Sequence, residues 1–535
     1  MKIKTEQGRT IRSAREELEL GAGNVKALVS GWRQRLHDDP GSFHLVETEV
    51  SHTFAQMASH VMGGLLAEVA ADDPSEEEIK AVRDKAFQEG NPLKAPMRNY
   101  KMNVVLLSGL ILCLRVLYLP SDKRKRDCLI AEGLLPEDAA GKGVHIELGK
   151  FGFGKGCSPG LQEDVSRLVC FYPSLELARK ELSRKGIVKD IKQIRRIALD
   201  LGFGMLNVRR ERIKQWKEGK LPTGEELRGK KVAVAVDGGR VRFRKVVRKG
   251  KKGKRTKWVP EWREPKVLII YIMGEDGRKE SKSACWIDGT FQKADQVMEL
   301  LAMHLHRLGA KNAETIEFVS DGAEWIWNGI DWVTNKVGID KNNVIKTLDF
   351  WHAAHHISLT LERMGIKEDE RKKTYRYLRQ ELRRGRWKAV VEELEKQAVM
   401  RNLAKGHEAY QGIVYLRKHG QSKHLQYLRC KRIRITRGSG AIESCIRRVI
   451  NLRLKGNGIF WNEENAEAVM QMRANLLSEQ WDKEVAATRE RWKTGGGKNY
   501  KWEAEEILKS VKLENEEADQ MLKTSEISVF PSKVA

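Results

Sequence analysis

The chain reads as an α/β protein: a mixed sheet that carries an all-helical insertion and is preceded by a mainly helical N-terminal region. Three observations predict this. Residues 231–240 (KVAVAVDGGR) hold an apolar run too short for a helix, the mark of a strand buried on both faces at a sheet centre. Further strand patterns at 241–247, 267–273 (VLIIYIM), 315–319 (TIEFV) and 343–348 (NVIKTL) are interleaved with amphipathic helices at 291–308 and 322–337. From residue 353 to about 429 the pattern is helical and basic, with no strand candidate.

A length of 535 residues with 41% hydrophobic content provides for two to four domains with real cores. The net charge of +26 points to a polyanionic partner, nucleic acid before membrane. Seven cysteines stand singly, with no CxxC pair and no secretory leader, so zinc ribbons and a disulfide framework are not expected and the chain reads as cytosolic. The apolar run at 102–119 is split by Ser108-Gly109 and interrupted by Arg115, which predicts two paired strands rather than a spanning helix.

In chain order, residues 1–160 form a helical region with that strand pair. Helices are expected within 11–20 and 50–69, and Ser75 caps another that opens on acids. His52 and His60 lack the companions of a metal site. The glycine-rich stretch 149–160 lacks the spacing of a phosphate-binding loop and reads as a linker. Residues 161–225 contain two helices around Gly186, the second with four basic residues. That is the outline of a DNA-binding helix-turn-helix, or equally of two packed amphipathic helices.

Residues 226–352 hold the first part of the sheet, with 241–247 expected to return antiparallel to 232–236. Three antiparallel strands, a helix, a strand, a helix and a strand make the order of a ribonuclease H-like domain. The insertion occupies 353–432, and 433–493 completes the core with a basic helix at 441–455 and another at 462–476. Residues 494–535 form a peripheral helical tail.

Two strand patterns run into an aspartate followed by glycine, Asp237 and Asp321, and the 441–455 helix carries Glu443 in its first turn. Each alone reads as a turn or cap residue. Their joint placement is what a pair of magnesium ions needs, because carboxylates from remote segments must converge to hold them. Manganese would substitute. Asp349 and His352 lie about one helical turn apart and can share a face and a hydrogen bond; His355 and His356 read as packing nearby. The loop 248–257 presents Arg248, Lys249, Lys251, Lys252, Lys254 and Arg255, a solvated hairpin tip or, in so basic a chain, a phosphate clamp.

The segments VDGGRVRFR, WREPKVLIIYI, FVSDGAEWIW, LDFWHAAHH, GSGAIESCIRRVINLRLKGNGIFW and NAEAVMQMRA, in this order, resemble the catalytic core of bacterial insertion-sequence DDE transposases, particularly the Kra-type family. The likeness covers about 232–475. It implies Asp237, Asp321 and Glu443 as the metal-binding triad, and Asp349 and His352 as the DxxH element found beside a helical insertion. It further implies double-stranded DNA partners, namely terminal inverted repeats and target DNA, and at least a dimer on DNA. On that reading Arg240, Arg437, Arg447, Arg448, Arg453 and Lys455 meet phosphates, and Trp461 stacks on a displaced base or packs in the core. A nuclease or resolvase without strand transfer, and a non-catalytic DNA-binding derivative, are the rival readings.

Overall fold

The structure is a computed structural model describing residues 2–70, 73–88, 90–135, 141–248, 256–280 and 283–493. The expected C-terminal tail and most of the basic loop, including Lys249, Lys251, Lys252, Lys254 and Arg255, lie outside the described residues.

The N-terminal region comprises β1 (Lys2–Thr5), α1 (Ala14–Asp38), α2 (Phe43–Val69), α3 (Glu76–Gln88), β2 (Met97–Val105), β3 (Ile111–Leu119), α4 (Lys123–Ala131), β4 (Val144–His145) and α5 (Ile146–Lys150). The 102–119 run is a strand pair, as its Ser-Gly break predicts: β2 and β3 pair antiparallel, and Gly109 turns the chain with φ +87°. Ser75 does cap α3, its hydroxyl accepting from the Glu78 amide at 3.2 Å. The stretch read as a linker is tied down, because the Val105 amide donates to Gly156 and the Ser158 amide to Val105, at 2.9 and 3.0 Å.

Three helices follow: α6 (Pro159–Phe171), α7 (Leu175–Arg184) and α8 (Ile191–Lys217). Asp190 and Gln193 close a capping box on α8. This second helix of the pair is a packed spine. Ile194, Ile197, Leu201 and Met205 are buried, while Lys192, Arg195 and Arg196 in its first turns stay exposed.

The central sheet is built from β5 (Lys231–Gly238), β8 (Lys266–Ile272), β9 (Cys285–Thr290), β10 (Thr315–Ser320) and β11 (Val344–Leu348), in the order β11-β10-β5-β8-β9. β5, β10 and β11 run parallel; β8 and β9 are antiparallel to their neighbours. One expectation is overturned. The strand at 241–247 does not return beside β5; β6 (Val241–Arg248) pairs with β7 (Lys257–Arg263) in a separate two-stranded ribbon, and β8 takes the place beside β5. The reason lies in composition: β6 is charged and exposed from Arg244 onward, whereas the seven residues of β8 suit a position covered on both faces.

Side-chain alternation divides the sheet between two cores. Val232, Val234 and Val236 pack with α9 (Ala294–Arg307), α10 (Glu324–Val337) and the insertion. Ala233 and Ala235 face α8, α16 (Gly440–Ile446) and α17 (Glu463–Leu477). The insertion is helical as expected, formed by α11 (Phe350–Arg363), α12 (Glu368–Arg383), α13 (Trp387–Met400), α14 (Ala409–Gln421) and α15 (Tyr427–Arg432), and its Leu378, Leu394 and Leu416 continue the first core. The helix expected at 441–455 is α16 followed by a π-helical turn at Arg447–Asn451, and α18 (Trp481–Lys493) ends the described chain. No helix among the described residues is long and apolar enough to cross a membrane.

Candidate active site

Three aspartates emerge at the C-terminal ends of three adjacent parallel strands. The pairing Ala235↔Val319 brings Asp237 level with Asp321, and Ser320↔Leu348 brings Asp349 level with Asp321. In open α/β sheets this end is where ligands bind, because backbones diverge there into loops. Asp237 Oδ1 accepts from the Gly238 amide at 2.6 Å, and Asp321 Oδ1 from the Ala323 amide at 3.1 Å. Gly322 is required at its turn: φ is +103°, and a Cβ would lie 2.2 Å from the Tyr415 hydroxyl, which donates to the Asp321 carbonyl at 2.7 Å. The insertion thus pins the second aspartate.

Glu443 comes from the other side. α16 packs on β5 and β8, with Ile446 and Ile450 against the bare face of Gly239. The Ser439 hydroxyl donates to Glu443 Oε1 at 3.0 Å, and the Ser439 amide donates to Asp349 Oδ2 at 2.6 Å. Asp349 is buried, and its Oδ1 accepts from the His352 amide at 2.6 Å. The bond expected between Asp349 and His352 therefore runs to the His352 backbone, as a helix cap, and the His352 ring is exposed. Asp349 is a strut between the end of β11 and the start of the Glu443 helix. His356 stacks on Tyr415 at 3.9 Å, and burial, reinforced by His352 and His355, pushes it down to about 4, so it is a neutral packing group.

The electrostatics identify which acids share one space. Burial raises the Asp237 carboxyl to about 6; the Gly238 amide opposes this, and Asp321, Glu443 and Glu264 add to it. Glu264 is a fourth acid that sequence reasoning missed. It precedes β8, whose antiparallel pairing sets Lys266 opposite Gly238, and a Cβ on Gly238 would lie 2.2 Å from Glu264 Oε1. The available signal was the acid just before the apolar run in WREPKVLIIYI, readable once that run is paired with 231–238.

Among the described residues, no three His, Cys, Asp or Glu side chains stand close enough to hold a metal as placed. Nor does any described Lys or Arg form an ion pair with Asp237, Asp321, Glu443 or Glu264. An all-oxygen set of uncompensated carboxylates matches the ligand preference of hard divalent cations.

Arg240, Arg248, Arg437, Arg447, Arg448 and Lys455 are exposed. Arg453 is a correction: it is 3% exposed, donates to the Val169 carbonyl at 2.7 Å, and cannot meet a phosphate. Trp461 packs. Its indole donates to the Leu454 carbonyl at 2.9 Å, the Arg453 guanidinium covers its ring at 5.1 Å, and its backbone pairs with β6.

No family model matches the chain, and no curated protein does. A solved structure described as a Drosophila P element transposase strand transfer complex aligns with 67% of this chain and 99% of its own, at 10% identity and a TM-score of 0.28, a likeness too slight to build on.

Proposed function

We propose that the protein is a DNA transposase of the Kra-type insertion-sequence group, with a ribonuclease H-like core that cuts the element's ends and joins them to target DNA. The observation that carries this reading is that Asp237 and Asp321 end adjacent parallel strands side by side while the helix of Glu443 packs against β5, so acids from segments 84 and 122 residues apart face the open end of the sheet. Asp237, Asp321 and Glu443 would hold two magnesium ions, or manganese in their place. When bound, the ions supply activation of the attacking hydroxyl and neutralisation of charge on phosphate and leaving oxygen.

The chain's own residues do the positioning. The rigid ends of β5 and β10 fix two ligands, while the Asp349–Ser439 strut sets the start of the helix that delivers the third. Arg240, Arg437, Arg447, Arg448 and Lys455 draw the DNA backbone to this end. In the first step a water oxygen bonds to phosphorus and the 3′ oxygen leaves. In the second that 3′ hydroxyl attacks a target phosphodiester and displaces its 3′ oxygen, so each step exchanges one phosphorus–oxygen bond for another. Two ends must be handled together, hence at least a dimer on DNA.

The test is magnesium-dependent nicking of the inverted repeats that flank the gene, followed by strand transfer into plasmid DNA. Asp237→Asn, Asp321→Asn and Glu443→Gln should each abolish cutting and leave binding intact. Cutting without joining would reduce the protein to a nuclease. Binding unaffected by these changes, with no cutting by the wild type, would leave only a DNA-binding role.

A further inference from the structure

The β6–β7 ribbon leaves the sheet between Asp237 and Glu264, so its root lies beside the acids. Its strands carry six Lys or Arg against one acid, Glu261. Antiparallel partners share a face, and the pairs Arg242↔Trp262, Arg244↔Pro260 and Val246↔Trp258 line one side. There the Arg242 guanidinium lies 5.7 Å from the Trp262 ring and 4.9 Å from Phe460, and that of Arg244 lies 5.1 Å from Trp258. Yet Trp262 remains 58% exposed and Trp258 37%. The other side is spoken for at the root, where Phe243 is buried edge-on against Phe291 at 4.9 Å.

The ribbon's base is held firmly. The Trp461 amide donates to the Arg242 carbonyl and the Arg244 amide to the Trp461 carbonyl, at 3.0 and 2.9 Å. Arg244 and Phe460 also line a hollow of about 310 Å³ bounded by Arg195, Trp461 and Asn465. A cationic face that keeps tryptophan rings in water suits a ligand that combines negative charge with open aromatic surfaces. Duplex DNA supplies the charge but hides its base faces inside the stack; an unpaired strand offers both.

We propose that this face of the ribbon binds an unpaired DNA strand beside the reacting phosphate, its bases stacking on Trp262 and Trp258. The inference rests on the DNA-processing reading above and names the part of the substrate that this surface takes.

The test is fluorescence anisotropy in magnesium-free buffer, with a labelled duplex that is either blunt or extended by an oligo-dT arm of about six nucleotides. For the wild type the arm should tighten binding about tenfold or more, the scale of one or two stacked bases. Trp258→Ala with Trp262→Ala should remove that gain and leave blunt-duplex binding unchanged, whereas Trp258→Phe with Trp262→Phe should keep it. Equal loss on both DNAs would make the face a duplex contact and overturn the proposal. So would an undiminished arm effect, or a change from oligomer to monomer, which would make it an interface between copies. Trp262→Ala alone, at a site more than half exposed, gives the same readout if the double variant melts early. Binding is read without cutting, so an arm effect that persists in a chain whose cutting ignores Asp237 would sink the transposase reading alone.

Discussion

Asp237 and Asp288 lie two strands apart in one sheet and have opposite surroundings. Burial alone would push the Asp288 carboxyl up, but Arg209 at 2.9 Å, His304 at 2.8 Å and the Gly289 amide at 2.7 Å more than offset it and hold it below its ordinary value. Arg209 also grips Glu467 at 2.6 Å, so one guanidinium clamps α8, β9 and α17 together. Asp237 has no such partner: after burial, the groups that raise it are other acids. An acid whose counter-charge comes from the chain is part of the frame. One whose neighbours are acids has no counter-charge from the described chain, which is what the proposed magnesium ions would supply.

The sharpest way to break this comparison is to neutralise the acids of the site. Asp237→Asn or Glu443→Gln should reduce cutting by at least about 10²–10³-fold, the scale of losing one stabilising group in a preorganised site. Neither should lower the melting temperature of the metal-free protein, since each removes repulsion. Magnesium should raise the wild-type melting temperature and raise that of these variants less, by mass action on the folded state. A variant that melts far below the wild type would place its acid in the frame.

The converse change is Arg209→Met. It strips Asp288 and Glu467 of their shared cation and leaves buried charge uncompensated, for a loss of about 3–5 kcal/mol in urea unfolding. A loss under about 1 kcal/mol would show that His304 and the Gly289 amide suffice. Asp349→Asn tests the strut between the two regimes. It keeps the shape but weakens the grip on the Ser439 amide, and positioning groups behind metal ligands typically cost 10–100-fold, so cutting should fall by about that factor while DNA affinity holds. An unchanged rate would mean that Glu443 is placed without Asp349.

What the sequence disclosed follows the same division. The two aspartates were legible because an apolar run ending in Asp-Gly marks where a core strand surfaces, and the helical insertion because nothing in it alternates. β9 was missed because the acid and glycine in CWIDGT break the apolar run that marks a core strand; only the distant Arg209 and His304 make that acid tolerable inside. Glu264 stayed hidden for a related reason: its neighbours depend on β8 pairing with β5, and the order of strands along the chain suggested β6 instead. Arg453 was misplaced because 441–455 reads as one continuous basic helix. The helix ends instead at the π-helical turn Arg447–Asn451, and the chain then turns, carrying this arginine to the Val169 carbonyl and away from solvent.

A third acid of the sheet follows neither pattern and gives the smallest effect. Glu317, on β10, is fully buried, with the Thr347 hydroxyl donating to it at 2.6 Å, and burial raises it to about 8 against that donor's pull. It has neither a cation from the chain nor a cluster of acids to attract one, so it keeps its proton. The sign of the consequence is fixed. Below the ordinary value of 4.5 the folded and unfolded chains both carry the proton; between there and about 8 only the folded chain does, so stability falls as pH rises across that window. Glu317→Gln, with the shape of the protonated acid and no charge to gain, should flatten that slope and stabilise the protein at pH 8 by about 1–3 kcal/mol, with little change at pH 4.5. Urea unfolding at several pH values checks it. Parallel curves for the two proteins would mean that Glu317 is ionised when folded and that some cation reaches it, which would place it with Asp288.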